Sequence, residues 1–255
     1  MTSTPLATSQ ETDHMNTIFF PAIDLKDGQC VRLLRGEMDQ ATVFSDSPAN
    51  QALAFAQAGA QWLHVVDLNG AFEGRPINGD AVKAIRAAID IPIQLGGGIR
   101  TIETIDYWLD NGVDRVILGT AALRNPQLVK DACLRHPNRI CVGIDAREGM
   151  VAVEGWAEKS NISVLDLAQK FEDAGVAVII YTDVGRDGAM EGPDLEGTQH
   201  LATNISIPVI ASGGVSSLED MQSLKESIPN LAGIISGRAI YDNAFSISDA
   251  LTTLS

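Results

Sequence analysis

The segment Ile23-Asp24-Leu25-Lys26-Asp27-Gly28 recurs, conservatively rewritten, as Ile144-Asp145-Ala146-Arg147-Glu148-Gly149, and three further pairs of segments repeat in the same order. The offset is 121 residues from Asp24 to Asp145, 116 from Ala58-Gly59 to Ala174-Gly175, 116 from Gly97-Gly98 to Gly213-Gly214, and 118 from Gly119-Thr120-Ala121 to Gly237-Arg238-Ala239. Such a period is far too long for a solenoid repeat. The duplicated unit must be about half of a domain. A chain of 255 residues with no Pro/Ser/Gly-rich linker between its halves fits one α/β barrel.

Short apolar, β-branched runs alternate with longer segments of helical period, the signature of repeated βα units on a parallel sheet. Eight strand-like runs lie near Ile18–Leu25, Trp62–Leu68, Ile91–Leu95, Arg115–Leu118, Ile140–Asp145, Ala177–Thr182, Ile207–Ala211 and Gly233–Ser236. Helical patterns follow them. One runs from Ser47 or Pro48 to Gly59 and its second-half equivalent from Ser163 to Gly175. Both close on Ala-Gly, where glycine can take the left-handed conformation that ends a helix. The pattern predicts a (β/α)8 barrel, a TIM barrel built from two (β/α)4 halves, with a doubly wound sheet as the runner-up. One barrel domain is expected over residues 17–255, after a disordered extension over 1–16.

A net charge of −15 argues against nucleic acid as a partner, since phosphate backbones are bound by a surplus of Lys and Arg. Three cysteines, Cys30, Cys133 and Cys141, have neither metal-type spacing nor a disulfide framework, so a reducing cytoplasm is the expected compartment and no metal is expected. Residues 1–16 lack a basic start and an apolar core and do not read as a signal peptide. No run approaches the length of a membrane span.

In the barrel fold, active sites sit at the C-terminal ends of the strands, where the repeated motifs fall. Gly97 and Gly98 follow the third run and Gly119 and Thr120 the fourth; Gly213 and Gly214 follow the seventh, Gly237 and Arg238 the eighth. In each half, adjacent loops can aim unobstructed backbone N–H groups at one anion, beside a helix start. Two halves imply two phosphate sites across the mouth, with Arg238 adding charge to the second.

Asp24 and Asp145 are expected to end the first and fifth strands, which lie opposite each other in an eight-stranded barrel. Two carboxylates in unlike surroundings can divide acid and base roles. Thr182 should end the sixth strand beside Asp145. Asp187 follows in a glycine-rich loop, from which it is expected to enter the site on closure. His64 and Asp67 alternate along the second strand; a lone strand histidine is more often core than catalyst. Trp156, after the fifth strand on what reads as a long loop, has a ring able to stack on a planar ligand or to pack on a helix.

The segments PAIDLKDGQCVRL, HVVDLNGAFEG, LGGGIR, ILGTAA, GIDAREGMVAVEGW, YTDVGRDGAMEGPD, ASGGV and ISGRAI closely resemble the histidine-biosynthesis isomerases that act on phosphoribosylformimino-aminoimidazole carboxamide ribotide (ProFAR). The resemblance runs from Ile18 to the C-terminus; residues 1–16 have no counterpart, and Ala189 stands where many relatives carry a hydroxyl residue. It implies a (β/α)8 barrel that binds a substrate with a phosphate at each end and performs an Amadori rearrangement without metal or organic cofactor. It makes Asp24 the proton acceptor and Asp145 or Asp187 the acid, with Thr182 assisting at the reacting hydroxyls. Arg32 would hold the substrate and Trp156 would cover its imidazole ring. No protein partner is required, and a monomer is expected.

Three readings compete. The ammonia-dependent cyclase of the same pathway shares the barrel, repeat and aspartates, but carries lysine at the position of Arg32 and ends its sixth strand differently from Tyr181-Thr182-Asp183. A dual isomerase would also convert phosphoribosylanthranilate. A sugar-phosphate-binding module without turnover is disfavoured by the intact Asp24, Asp145 and Asp187.

Overall fold

The computed structural model describes residues 16–35, 37–153 and 158–255. Residues 1–15, most of the expected extension, lie outside the described residues. Twelve strands follow in chain order: β1 Ile18–Lys26, β2 Gln29–Leu34, β3 Glu37–Ser45, β4 Leu63–Asp67, β5 Ile93–Gly96, β6 Arg115–Leu118, β7 Ile140–Arg147, β8 Met150–Val153, β9 Glu158–Ser163, β10 Val178–Asp183, β11 Val209–Ser212 and β12 Leu231–Ser236. Eight of these, in the order β1-β4-β5-β6-β7-β10-β11-β12, pair in parallel and close a barrel where β12 meets β1. Helices cover the intervals between them. The protein is a (β/α)8 barrel.

Alternation along the strands divides the core into two. Phe20 and Ala22 point inward, into a cluster with Ile117, Cys141, Val178, Ile180, Ile210 and Ile235 that fills the barrel. Their neighbours Phe19, Ile23 and Leu25 point outward, into the larger core shared with the helices. Asp24 continues the inward series, which is why a charged residue on a barrel strand emerges at the mouth.

The eight expected runs match the barrel strands to within about two residues at most of their ends, with one consequential difference. β1 and β7 do not stop at Asp24 and Asp145 but run on to Lys26 and Arg147, each turning back into an antiparallel arm. The turn residues Asp27-Gly28 and Glu148-Gly149 all have positive φ, between 52° and 79°, the backbone that a tight two-residue hairpin demands. The arms β2–β3 and β8–β9 are a duplicated insertion, and where a long loop was expected Met150–Val153 and Glu158–Ser163 pair as antiparallel strands. Trp156 itself lies outside the described residues. The helices after the arms repeat too: Ser47 caps Pro48–Gln57 and Ser163 caps Val164–Gln169, each accepting from the third residue onward. The second is shorter than expected, passing into turns before Gly175, which has φ +84° as Gly59 has +97°.

Gly97 and Gly213 hold φ of +101° and +88° because each backbone lies against an aspartate of the preceding barrel strand. A Cβ on Gly97 would strike the Asp67 backbone, and one on Gly213 the Asp183 backbone. Strained φ and overlap with rigid backbone together should make Gly97→Ala cost on the order of 2–4 kcal/mol, a fall in Tm of roughly 5–15 °C. A thermal melt unchanged within 2 °C, in place of that drop, would show that the loop has room to shift.

Candidate active site

A cavity of about 230 Å³ opens at the C-terminal ends of the barrel strands. Asp24 of β1 and Asp145 of β7 line it from strands that stand four apart in a ring of eight. Thr182 of β10 is the register partner of Asp145 and lines the same space, as do Gly97, Gly98, Gly119, Thr120, Gly213, Gly214, Gly237 and Arg238. Residues 116–121 apart in sequence are thus brought to one mouth by the barrel closing on itself.

The hairpin β2–β3 supplies the cation that meets Asp24. Arg32, buried on β2, makes a 2.6 Å ion pair with Asp24 across the β1–β2 turn. Its guanidinium occupies the space that a Cβ on Gly237 would need, and faces the ring of Tyr241 at 5.9 Å. Burial pushes the Asp24 carboxyl above its ordinary range, and Arg32 pulls it part of the way back. The result is a carboxyl ion-paired with Arg32 and more basic than one in water.

Asp187 already lines this cavity. The loop that carries it is fastened to the first-half hairpin: the Arg35 N–H donates to the Asp187 carbonyl at 2.9 Å, Arg35 pairs with Glu191 at 3.1 Å, and Gly188 lies against the carbonyl of Leu33. Burial, reinforced by the charges of Asp24 and Asp145 and opposed by Arg32, raises the Asp187 carboxyl from 3.8 to about 6. A carboxyl raised this far is suited to carry a proton near neutrality.

The two glycine loops are alike in backbone and unlike in charge. Gly97-Gly98 and Gly213-Gly214 all have positive φ, while Gly119 and Gly237 stand just before the helices Thr120–Arg124 and Arg238–Tyr241, whose first N–H groups are unused within the helix. The second site adds Arg32 on Gly237, and Arg238, which shares its charge with Asp242 at 2.9 Å.

Asp67 is wholly buried and accepts from the N–H groups of Gly70, Ile77 and Asn78 and from the Asn78 amide, at 2.7–2.9 Å. It caps the helix Leu68–Glu73 and fixes the loop beneath the first glycine pair. His64 is both buried and at the cavity wall. Sequence reasoning missed the two residues behind it, Gln94 and Arg115. The available signal was Gln94 itself, the one polar side chain in Ile93-Gln94-Leu95-Gly96.

Fold and mouth together define a two-half (β/α)8-barrel enzyme whose site sets carboxylates between two glycine-lined loops. Residues 18–246 match the family model described as "Histidine biosynthesis protein", and the chain belongs to that family. It is 65% identical over 238 residues, 93% of this chain and 99% of the relative, to a protein of Rhodospirillum rubrum named 1-(5-phosphoribosyl)-5-((5-phosphoribosylamino)methylideneamino) imidazole-4-carboxamide isomerase. Proteins of the same name from Paracoccus denitrificans, 60% identical over 237 residues, and Parvibaculum lavamentivorans, 61% over 238, are matched over 93% of this chain and 99% and 98% of their own lengths.

Proposed function

We propose that this protein isomerises the aminoaldose ProFAR to the aminoketose PRFAR by an Amadori rearrangement. The observation that carries the reading is the match, along nearly the whole of both chains, to proteins named for that isomerisation. The cavity supports it chemically. A substrate with a phosphate at each end is held by the loops at Gly97-Gly98/Gly119-Thr120 and Gly213-Gly214/Gly237-Arg238, so that its aminoribose lies between the carboxylates. Binding the two remote ends positions the reacting carbons without itself stabilising one state of them.

Asp187 gives its proton to the ring oxygen, the C1′–O4′ bond breaks, and the nitrogen lone pair forms the C1′ iminium. Asp24 then takes the C2′ proton; the C2′–H electrons become the C1′=C2′ bond of an enaminol, whose return to a ketone places a proton on C1′. Asp24 returns its proton to C1′ and the O2′–H proton restores Asp187, so both carboxyls are reset and the overall change is an isomerisation that consumes no oxidant or reductant. Thr182 and Asp145 stand together at the opposite wall, where they orient the sugar hydroxyls. Residues 17–255 act as one barrel domain, in the cytoplasm and as a monomer.

The deciding experiment incubates purified protein with ProFAR, ammonia omitted, with phosphoribosylanthranilate in a parallel well. PRFAR formation is expected; its absence defeats the proposal, and turnover that waits for ammonia would favour the cyclase. Conversion of phosphoribosylanthranilate would extend the activity to the dual isomerase. Because a Cβ on Gly237 would land on the Arg32 guanidinium, Gly237→Ala should lower kcat/KM roughly 10–100-fold through a misplaced charge at the second phosphate. Steady-state kinetics within twofold of the parent would show that Arg32 does not serve that end.

A further inference from the structure

Gln94 is fully buried inside the barrel, where an unpaired amide would be costly. It is satisfied on both sides by strand neighbours in register, with Arg115 on β6 and His64 on β4. Arg115 Nη2 donates to Gln94 Oε1 at 2.8 Å, and Gln94 Nε2 lies 3.0 Å from His64 Nδ1. The direction of this chain is forced. A guanidinium has donors only, so the amide oxygen must face Arg115 and the amide nitrogen must face the imidazole. His64 Nδ1 therefore accepts, and the ring proton belongs on Nε2.

Nothing among the described residues takes that proton: His64 makes its one side-chain hydrogen bond through Nδ1, and the ring lines the cavity with Asp24. In register terms His64 pairs with Ala22 and Val66 with Asp24, which sets the imidazole one inward layer deeper than the carboxylate, on the adjacent strand. Arg115 is itself held from below, its guanidinium 4.0 Å from the Trp62 ring centroid and 5.8 Å from that of Phe20. Burial, with the charges of Arg32 and Arg115, drives the His64 pKa down to about 3, so the ring remains neutral under working conditions.

We propose that Arg115 and Gln94 are positioning residues that lock His64 as its Nε2–H tautomer, and that this N–H donates to the substrate oxygen on the carbon that Asp24 deprotonates. The second half of the proposal rests on the isomerase reading above; the first does not. A neutral imidazole N–H fixes the C2′ hydroxyl and stabilises the negative charge its oxygen gains as the O2′ proton leaves and the enaminol returns to the ketone, and it is too weak an acid to lose its proton outright. A charged imidazolium would instead pair with Asp24 and quench the base.

Two measurements test this separately. In protein labelled with 15N-histidine, the substrate-free His64 ring should show a protonated Nε2 and a bare Nδ1, unchanged from pH 5 to 8. A proton on Nδ1, or titration within that range, overturns the lock. Gln94→Glu presents an acceptor to both neighbours and should move the proton to Nδ1 or charge the ring, while kcat falls roughly 100-fold and KM changes less than threefold, the signature of a donor used mainly in the transition state. Gln94→Met, of similar volume, should give mixed tautomers with a smaller loss of kcat, and replaces Gln94→Glu if that variant does not fold. Variants whose tautomer changes while kcat holds overturn the catalytic role. If the unmutated protein does not turn over ProFAR, the isomerase reading fails while the tautomer result stands on its own.

Discussion

Replacing Asp24 with Asn should reduce kcat for isomerisation by about 10²–10⁴-fold, the usual contribution of a positioned general base. Asn keeps the shape and can still accept from Arg32, so the glycine loops at Gly97-Gly98 and Gly213-Gly214 should be undisturbed and KM should change little. The loss belongs to proton abstraction, and a substrate deuterated at C2′ should show a larger isotope effect in the variant if that step becomes limiting. Stability reports a different part of the same change. Arg32 is buried and would lose the carboxylate 2.6 Å away; Asp187 still acts on it, so the cost should be on the order of 2 kcal/mol, below that of stranding a buried charge altogether. A variant that retains a tenth or more of the parent kcat would remove Asp24 from the chemistry.

The barrel was legible because its eight strands are apolar, β-branched and bounded by turn residues, and because the repeat halves the problem: whatever Asp24 does in space, Asp145 mirrors across the mouth. The hairpins escaped notice for the opposite reason. β3 is largely exposed and reads Glu-Met-Asp-Gln-Ala-Thr-Val-Phe-Ser, with no apolar face to alternate. Its signal was the Asp27-Gly28 turn, which lies inside the very motif that revealed the duplication. The hairpin matters because it delivers Arg32 and ties down the Asp187 loop. The Arg115–Gln94–His64 chain was illegible for a further reason: it exists only once three strands are in register, and register is a property of the closed sheet. The protonation of Asp187 likewise depends on charges drawn together from β1, β2 and β7.

That protonation makes Asp187→Asn the sharper test of how the acid is assigned. With a carboxyl raised from 3.8 to about 6, the acid form needed for ring opening is the main species below pH 6 and falls about tenfold for each pH unit above it. The kcat/KM profile of the parent should therefore descend on its alkaline side with a break near 6, and Asp187→Asn should abolish that limb together with most of the activity, about 10²-fold or more. Asp145→Asn should slow turnover no more than Asp187→Asn does; if Asp187→Asn leaves the rate unaffected, the acid role passes to Asp145. The linkage runs in the opposite direction. The folded protein holds the Asp187 proton more tightly than the unfolded chain does, so stability contributed by this group is complete below about pH 4 and is lost as pH rises to about 6. At pH 8 the parent carries an ionised carboxylate beside Asp24 and Asp145 that Asn lacks, and the variant should melt higher by an amount worth on the order of 1–2 kcal/mol, with the gain vanishing by pH 4. A residue placed for structure alone would lose stability when replaced. One that is less active and yet more stable, only at alkaline pH, is a carboxyl kept protonated for use.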